Sequence, residues 1–238
     1  MRLASLVFAT TIFLLSFLIE GNSIAGVADA QICDVSADYS LGVGDYAEAI
    51  RRHVQVLKEH PDNAVAHYHL GFAFGMVRNR RAEVREYQRA AALGLASWDL
   101  FLNLGLAQLE NGDLDAATDS LRRAVLLGED HSESHFNLAL VDERRGMLAD
   151  AEHETLASLK LNPDQPDARN QLGVIYAQEG KTASASIVWR ELVNDVPDYE
   201  PARANLRILG SLNRVATGET TAVDLPPAAV VKAIVGER

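Results

Sequence analysis

The 238-residue chain has one cysteine, Cys33, so no internal disulfide is available and its fold must rest on packing. Cys33 reads as a free thiol; the bulky Ile32 before it suits lipoprotein processing poorly. Aromatic residues make up only 6% of the chain while alanine and leucine dominate, which favours helices over sheets. Positive charge is also scarce. With 22 Lys and Arg against 33 Asp and Glu, the net charge is -11, which excludes a phosphate-reading surface. No nucleic acid partner is expected, and no direct membrane binding by the mature domain. The chain lacks any Asn-x-Ser/Thr acceptor, in keeping with a bacterial exported protein.

What is present begins with an apolar stretch, Leu3 to Ile19, behind the single positive charge of Arg2. Small residues follow Glu20, and Ser23-Ile24-Ala25 and Ala28-Asp29-Ala30 both offer small-x-small cleavage sites. Residues 1–30 therefore read as a secretory signal peptide, with an uncleaved single-span anchor as the alternative. Either reading places the remainder in an extracytoplasmic compartment, the bacterial periplasm first among them.

Beyond residue 30 the chain keeps a beat of 34 residues. Gly44, Gly112, Gly146 and Gly180 fall on it, with Arg78-Asn79 at the missing step, where Asn79 is expected to take the turn conformation. Leu70-Gly71, Leu104-Gly105, Leu138-Ala139 and Leu172-Gly173 repeat at the same interval, as do Ala49, Ala117, Ala151 and Ala185. Pro61, Pro163 and Pro197 share another column, in which Leu95 and Glu129 replace the absent prolines. Within each period apolar residues recur at three- and four-residue spacing, as over Ala64–Val77 and Trp98–Glu110, so each period is two short helices and a tight turn. Gly105 and Ala117 sit where the helices of one hairpin cross, and Gly112 supplies a positive φ. The regularly placed small residues are architectural.

The 34-residue period, Leu-Gly early in the first helix and the stretch "GDYAEAI" (Gly44–Ile50) resemble the tetratricopeptide repeat. The resemblance covers residues 31–199: a degenerate first repeat at 31–63, in which only Asp45–His60 matches well, then 64–97, 98–131, 132–165 and 166–199. Departures are Glu83 in the column of crossing alanines and Thr155 in the usual aromatic column. The expected fold is an all-α right-handed superhelical solenoid, closed by a capping helix over residues 200–213 and followed by a flexible tail, 214–238. That tail, with its Pro226-Pro227 pair, either folds back into the groove or docks on a partner.

The resemblance implies that first helices line a concave face through residues flanking the Leu-Gly pair. Here these are Tyr68, Phe72, Leu102, Leu106, Phe136, Leu140 and Val174, rimmed by Glu110, Glu143, Arg144 and Gln178. Where many family members place a polar residue after the glycine, this chain has Phe72, Leu106, Leu140 and Val174. Such an apolar strip points to a protein or peptide partner with apolar anchors, with a homo-oligomer through the same face as the alternative. Some relatives clamp C-terminal carboxylates with Lys, Asn and Arg. Asn103 and Asn137 match one element of that clamp, but the matching lysines are absent.

Catalysis finds no pattern to carry it. His60, His67 and His69 cluster, as do His131 and His135, but neither group has the helical spacing of a metal site, and they read as solvated or hydrogen-bonded side chains. No cofactor, metal or catalytic residue is expected. The reading is a non-catalytic interaction module of the cell envelope, with a homo-oligomeric scaffold second and an accessory subunit of an envelope enzyme a distant third.

Overall fold

A computed structural model describes residues 34–216. The N-terminal apolar stretch, Cys33 and the tail from 217 onward lie outside the described residues. Those described form helices and turns with no strand. The helices run as α1 (Val35–Gly42), α2 (Tyr46–Glu59), α3 (Ala64–Met76), α4 (Arg80–Ala92), α5 (Trp98–Glu110), α6 (Leu114–Leu127), α7 (Ser132–Arg144), α8 (Leu148–Leu161), α9 (Pro166–Gln178), α10 (Thr182–Asp195) and α11 (Glu200–Ala216).

Each hairpin turn is built from two residues. In the α5–α6 turn, Gly112 takes φ 80° and its N–H donates to Leu109 O at 3.0 Å. The next N–H, of Asp113, reaches Gln108 O at 3.0 Å, so the freed carbonyls of α5 are satisfied as in a Schellman ending. Asp113 then caps α6 by accepting from Ala116 N. Gly44-Asp45 and Arg78-Asn79 repeat this division of labour. The α3–α4 turn corrects one expectation: Arg78, with φ 61°, takes the left-handed conformation, and Asn79, with φ -86°, is the N-cap. The left-handed residue must directly follow the C-cap Val77, whereas the cap side chain must precede Arg80, so the order is set by the two helices.

Helix pairs cross where glycine meets a large side chain. A Cβ on Gly71 would lie 2.7 Å from the Tyr87 ring, on Gly105 2.6 Å from Leu121, and on Gly173 2.6 Å from Trp189 Cε2. The same two columns hold Ala37 with His53 and Ala139 with Thr155, so the glycine relaxes to alanine where the partner is smaller. Trp189, Tyr87, Leu121, His53 and Thr155 are all fully buried or nearly so. Size is thus matched across each crossing, and Thr155 satisfies its hydroxyl on Ala151 O at 2.7 Å.

Glu83, the departure from the alanine column, is accommodated by a second exchange. Its carboxylate occupies the space beside Gly75, where a Cβ would lie 2.5 Å from Oε1; the next repeat has Leu109 at that step and Ala117 opposite. Arg80 Nη1 donates to Glu83 Oε2 at 2.8 Å, and burial holds the Glu83 carboxyl above its ordinary pKa against that pull.

Successive odd-numbered helices from α1 to α11 touch one another, in addition to their hairpin partners, so they form one layer of the stack. The far end is closed by α11, whose Ala202, Ile208 and Leu209 pack with Trp189 and Leu192 of α10.

Candidate functional site

The layer of odd-numbered helices carries the residues expected to line the concave face. Phe72, Leu102, Leu106, Phe136, Leu140 and Val174 are all half-buried. Phe72 and Leu102 lean on the cluster around Tyr87 and Phe101, and Val174 leans on the cluster around Trp189, so these three also serve the core. Leu106, Phe136 and Leu140, also half-buried, belong to none of the three apolar clusters of the described residues.

Tyr68 departs from the expectation. Its ring is only 6% exposed and sits in the core at 5.7 Å from Tyr87, so it offers no apolar surface to a ligand. The hydroxyl donates to Asp99 Oδ2 at 2.8 Å and accepts from Asn103 Nδ2 at 3.1 Å. Burial, and then the Asp99 carboxylate beside it, raise its pKa far above the usual phenol value. The position one turn before the Leu-Gly pair therefore holds a core ring whose polar tip ties α3 to α5.

The rim is partly self-engaged. Gln178 Nε2 donates to Glu143 Oε1, and Arg80 pairs with Glu110, while Arg144 is exposed. The Gln178–Glu143 bond and Tyr68–Asn103 each join residues 35 apart, as does the bond of Asn205 Nδ2 to Asn170 Oδ1 at 3.0 Å. Tyr199 adds a bond to Asp167 at 2.6 Å. Together they form a ladder of polar rungs between successive odd helices. Asp99, Asp167, Asn170 and Tyr199 were not singled out in the sequence; their only signal is a spacing close to one period. The two asparagines of the carboxylate clamp are also engaged internally, Asn103 with Tyr68 and Asn137 with Glu133 O at 2.8 Å.

The histidines separate into unlike environments. His67 and His135, two periods apart, each hold a glutamate of the following helix: Glu86 at 2.8 Å and Glu154 at 2.7 Å. His131 stacks on Trp98 with ring centroids 3.6 Å apart, so His131 and His135 do not converge. His69 turns the other way from His67. Its Nδ1 lies 2.8 Å from Asp38 Oδ1, and Nε2 of the buried His53 lies 3.9 Å from the same oxygen. One donor atom from each of these three residues lies within 4.8 Å of the other two. Burial, then the neighbouring His69, push the His53 imidazole down to about 4. Burial works to raise Asp38, but His69 and His53 outweigh it and hold the carboxyl below its ordinary value. The sequence concealed this group because its members lie 15 and 16 residues apart, on α1, α2 and α3.

The tetratricopeptide repeat family model matches residues 78–135 and 102–158. Over the matched residues, 78–158, this chain is built of tetratricopeptide repeats. No curated protein sequence matches it significantly. Among solved structures it is similar to YrrB, described as a TPR protein with an unusual peptide-binding site, at 23% identity over 72% of this chain and 88% of YrrB, with a TM-score of 0.69. A crystal structure of MamA is 23% identical over 68% of this chain and 95% of that one, with a TM-score of 0.65. MamA from Desulfovibrio magneticus RS-1 is 14% identical over 67% and 90%, with a TM-score of 0.64. At these identities the likeness is one of fold. In the tetratricopeptide frame, the odd helices α3, α5, α7 and α9 are the first helices of their repeats, and α11 caps the last.

Proposed function

We propose that this tetratricopeptide repeat protein is a non-catalytic interaction scaffold of the cell envelope, which holds a peptide segment or helix of a partner protein on its first-helix face. The observation that carries the reading is the alignment of Leu106, Phe136 and Leu140 on that face without a place in the core clusters. Burial of about 25 cal/mol per Å² of apolar surface makes such residues natural anchors, and the charged rim then sets which sequences fit. The peptide-binding site for which YrrB is described supports this use of the fold. Export rests on residues 1–30, whose single arginine, apolar stretch and small-residue sites have the order of a signal peptide. Among the described residues no helix is long and apolar enough to cross a membrane.

The test is selection from a phage-displayed peptide library on the full chain, repeated with a Leu106→Ser, Phe136→Ser, Leu140→Ser variant. Enriched peptides with spaced apolar anchors, lost in a variant of equal helicity, are expected. Peptides that bind both proteins equally would place the site elsewhere. Light scattering over a concentration range tests the alternative: a self-association that the same variant abolishes would assign the face to another copy.

A further inference from the structure

The group formed by Asp38, His53 and His69 sits at the opposite end of the solenoid from α11 and is not part of the proposed peptide face. It is the meeting point of α1, α2 and α3, and each helix contributes one member. Its chemistry is unusual for a helix junction. His53 is 2% exposed, in the column that elsewhere holds Tyr87, Leu121, Thr155 and Trp189, yet its Nε2 has no hydrogen-bond partner. Asp38 Oδ1 also lacks a hydrogen bond, although His69 Nδ1 stands only 2.8 Å away. Three potential ligand atoms therefore crowd one small space, and the buried His53 Nε2 among them has no hydrogen bond, a condition that costs free energy unless something occupies the centre.

We propose that Asp38, His53 and His69 bind a divalent transition-metal ion of the zinc class, which clamps α1 onto the hairpin that follows. The separations fit such an ion with modest adjustment. Ligand atoms at about 2.1 Å from a tetrahedral metal stand about 3.4 Å from each other. The observed spacings of 2.8 Å and 3.9 Å bracket that value, and the widest stays within 4.8 Å, so side-chain rotations of about an ångström complete the set. Two imidazoles and one carboxylate favour zinc, cobalt or nickel over magnesium and calcium, which prefer all-oxygen sites. Water fills the remaining coordination positions on the side of the partly exposed Asp38.

The architecture supplies a reason for such a clamp. Helix α1 has eight residues and buries only Ala37 and Ser40, while Val35 and Tyr39 are 79% and 68% exposed. At the other end α11 is held by an apolar cluster that includes Trp189, Leu192, Ile208 and Leu209. A metal bridge would give α1 the attachment that its few apolar contacts do not.

Zinc titration of the untagged full chain by calorimetry, with cobalt absorption spectroscopy alongside, tests the proposal. One saturable zinc per chain is expected, with a cobalt ligand-field spectrum of a nitrogen- and oxygen-ligated ion and a melting temperature that rises with zinc. Asp38→Ala and His69→Ala, both at partly exposed positions, should each weaken zinc binding at least tenfold and remove the melting shift. His67→Ala and His135→Ala, which alter the histidine–glutamate pairs instead, should leave both unchanged. Should His53→Ala unfold, Asp38→Ala and His69→Ala still decide the matter. Absence of saturable zinc binding, or binding that survives in an Asp38→Ala, His69→Ala double variant, would overturn the assignment. Equal competition by calcium or magnesium would overturn the metal class.

Discussion

His53 and Trp189 occupy the same column of the repeat, four periods apart, and both are buried at a helix crossing. Their surroundings differ in kind. Trp189 lies against the bare backbone of Gly173, donates its indole N–H to Asn170 O at 3.2 Å and anchors the cluster that seats α11. His53 meets the column that holds Ala37, leaves its Nε2 without a partner and faces Asp38 and His69. The period dictates where a side chain is buried, while the neighbouring helices dictate what chemistry that burial can support. The C-terminal end is closed by apolar area. The N-terminal end carries a polar cluster under a short helix.

The strongest way to break this contrast is Trp189→Ala. Loss of the central side chain of its cluster should cost about 3–5 kcal/mol in urea unfolding followed by circular dichroism. If the change costs less than about 1 kcal/mol, Trp189 is not the anchor of that end. Gly173→Ala attacks the same crossing from the other side. Its Cβ would stand 2.6 Å from Trp189 Cε2, so overpacking should cost about 1–3 kcal/mol in the same assay.

A smaller effect of opposite sign is expected at the α3–α4 turn. Arg78 is the one non-glycine with positive φ among the described residues, and Arg78→Gly should raise stability by about 1 kcal/mol, read as a higher urea midpoint with an unchanged slope. The smallest change is His53→Leu in metal-free buffer. It exchanges the unpartnered imidazole for the residue that the column holds at Leu121, at similar volume, and should stay within about 1 kcal/mol of the parent. A severe loss there would show that the imidazole itself holds the N-terminal end without any ion.

Much of the fold was legible because each repeat is a local unit repeated at constant interval. The crossing residues Gly105 and Ala117, and the turn glycines, could be placed from their columns alone. The columns of Phe72, Leu106 and Leu140 beside the Leu-Gly pair were legible, but the burial of Tyr68 in the core was not. One helical position of rotation separates a core ring from a surface ring, and periodicity does not resolve it. The polar rungs and the Asp38–His53–His69 group were not legible. Their members come from different helices, and although Tyr68, Asn103, Glu143, Gln178 and His69 stood out singly, spacing along the chain does not show which of them meet.

By itself the sequence determined the period, the helical hairpins, the turn chemistry and the column in which each residue would stand, because all of these follow from short-range spacing and backbone preference. Only the tertiary structure decided which side chains in those columns meet. Glu83 exchanging bulk with Gly75 and two histidines closing on one aspartate both depend on the distance and angle between helices. Those are set by packing across whole repeats rather than by any one of them.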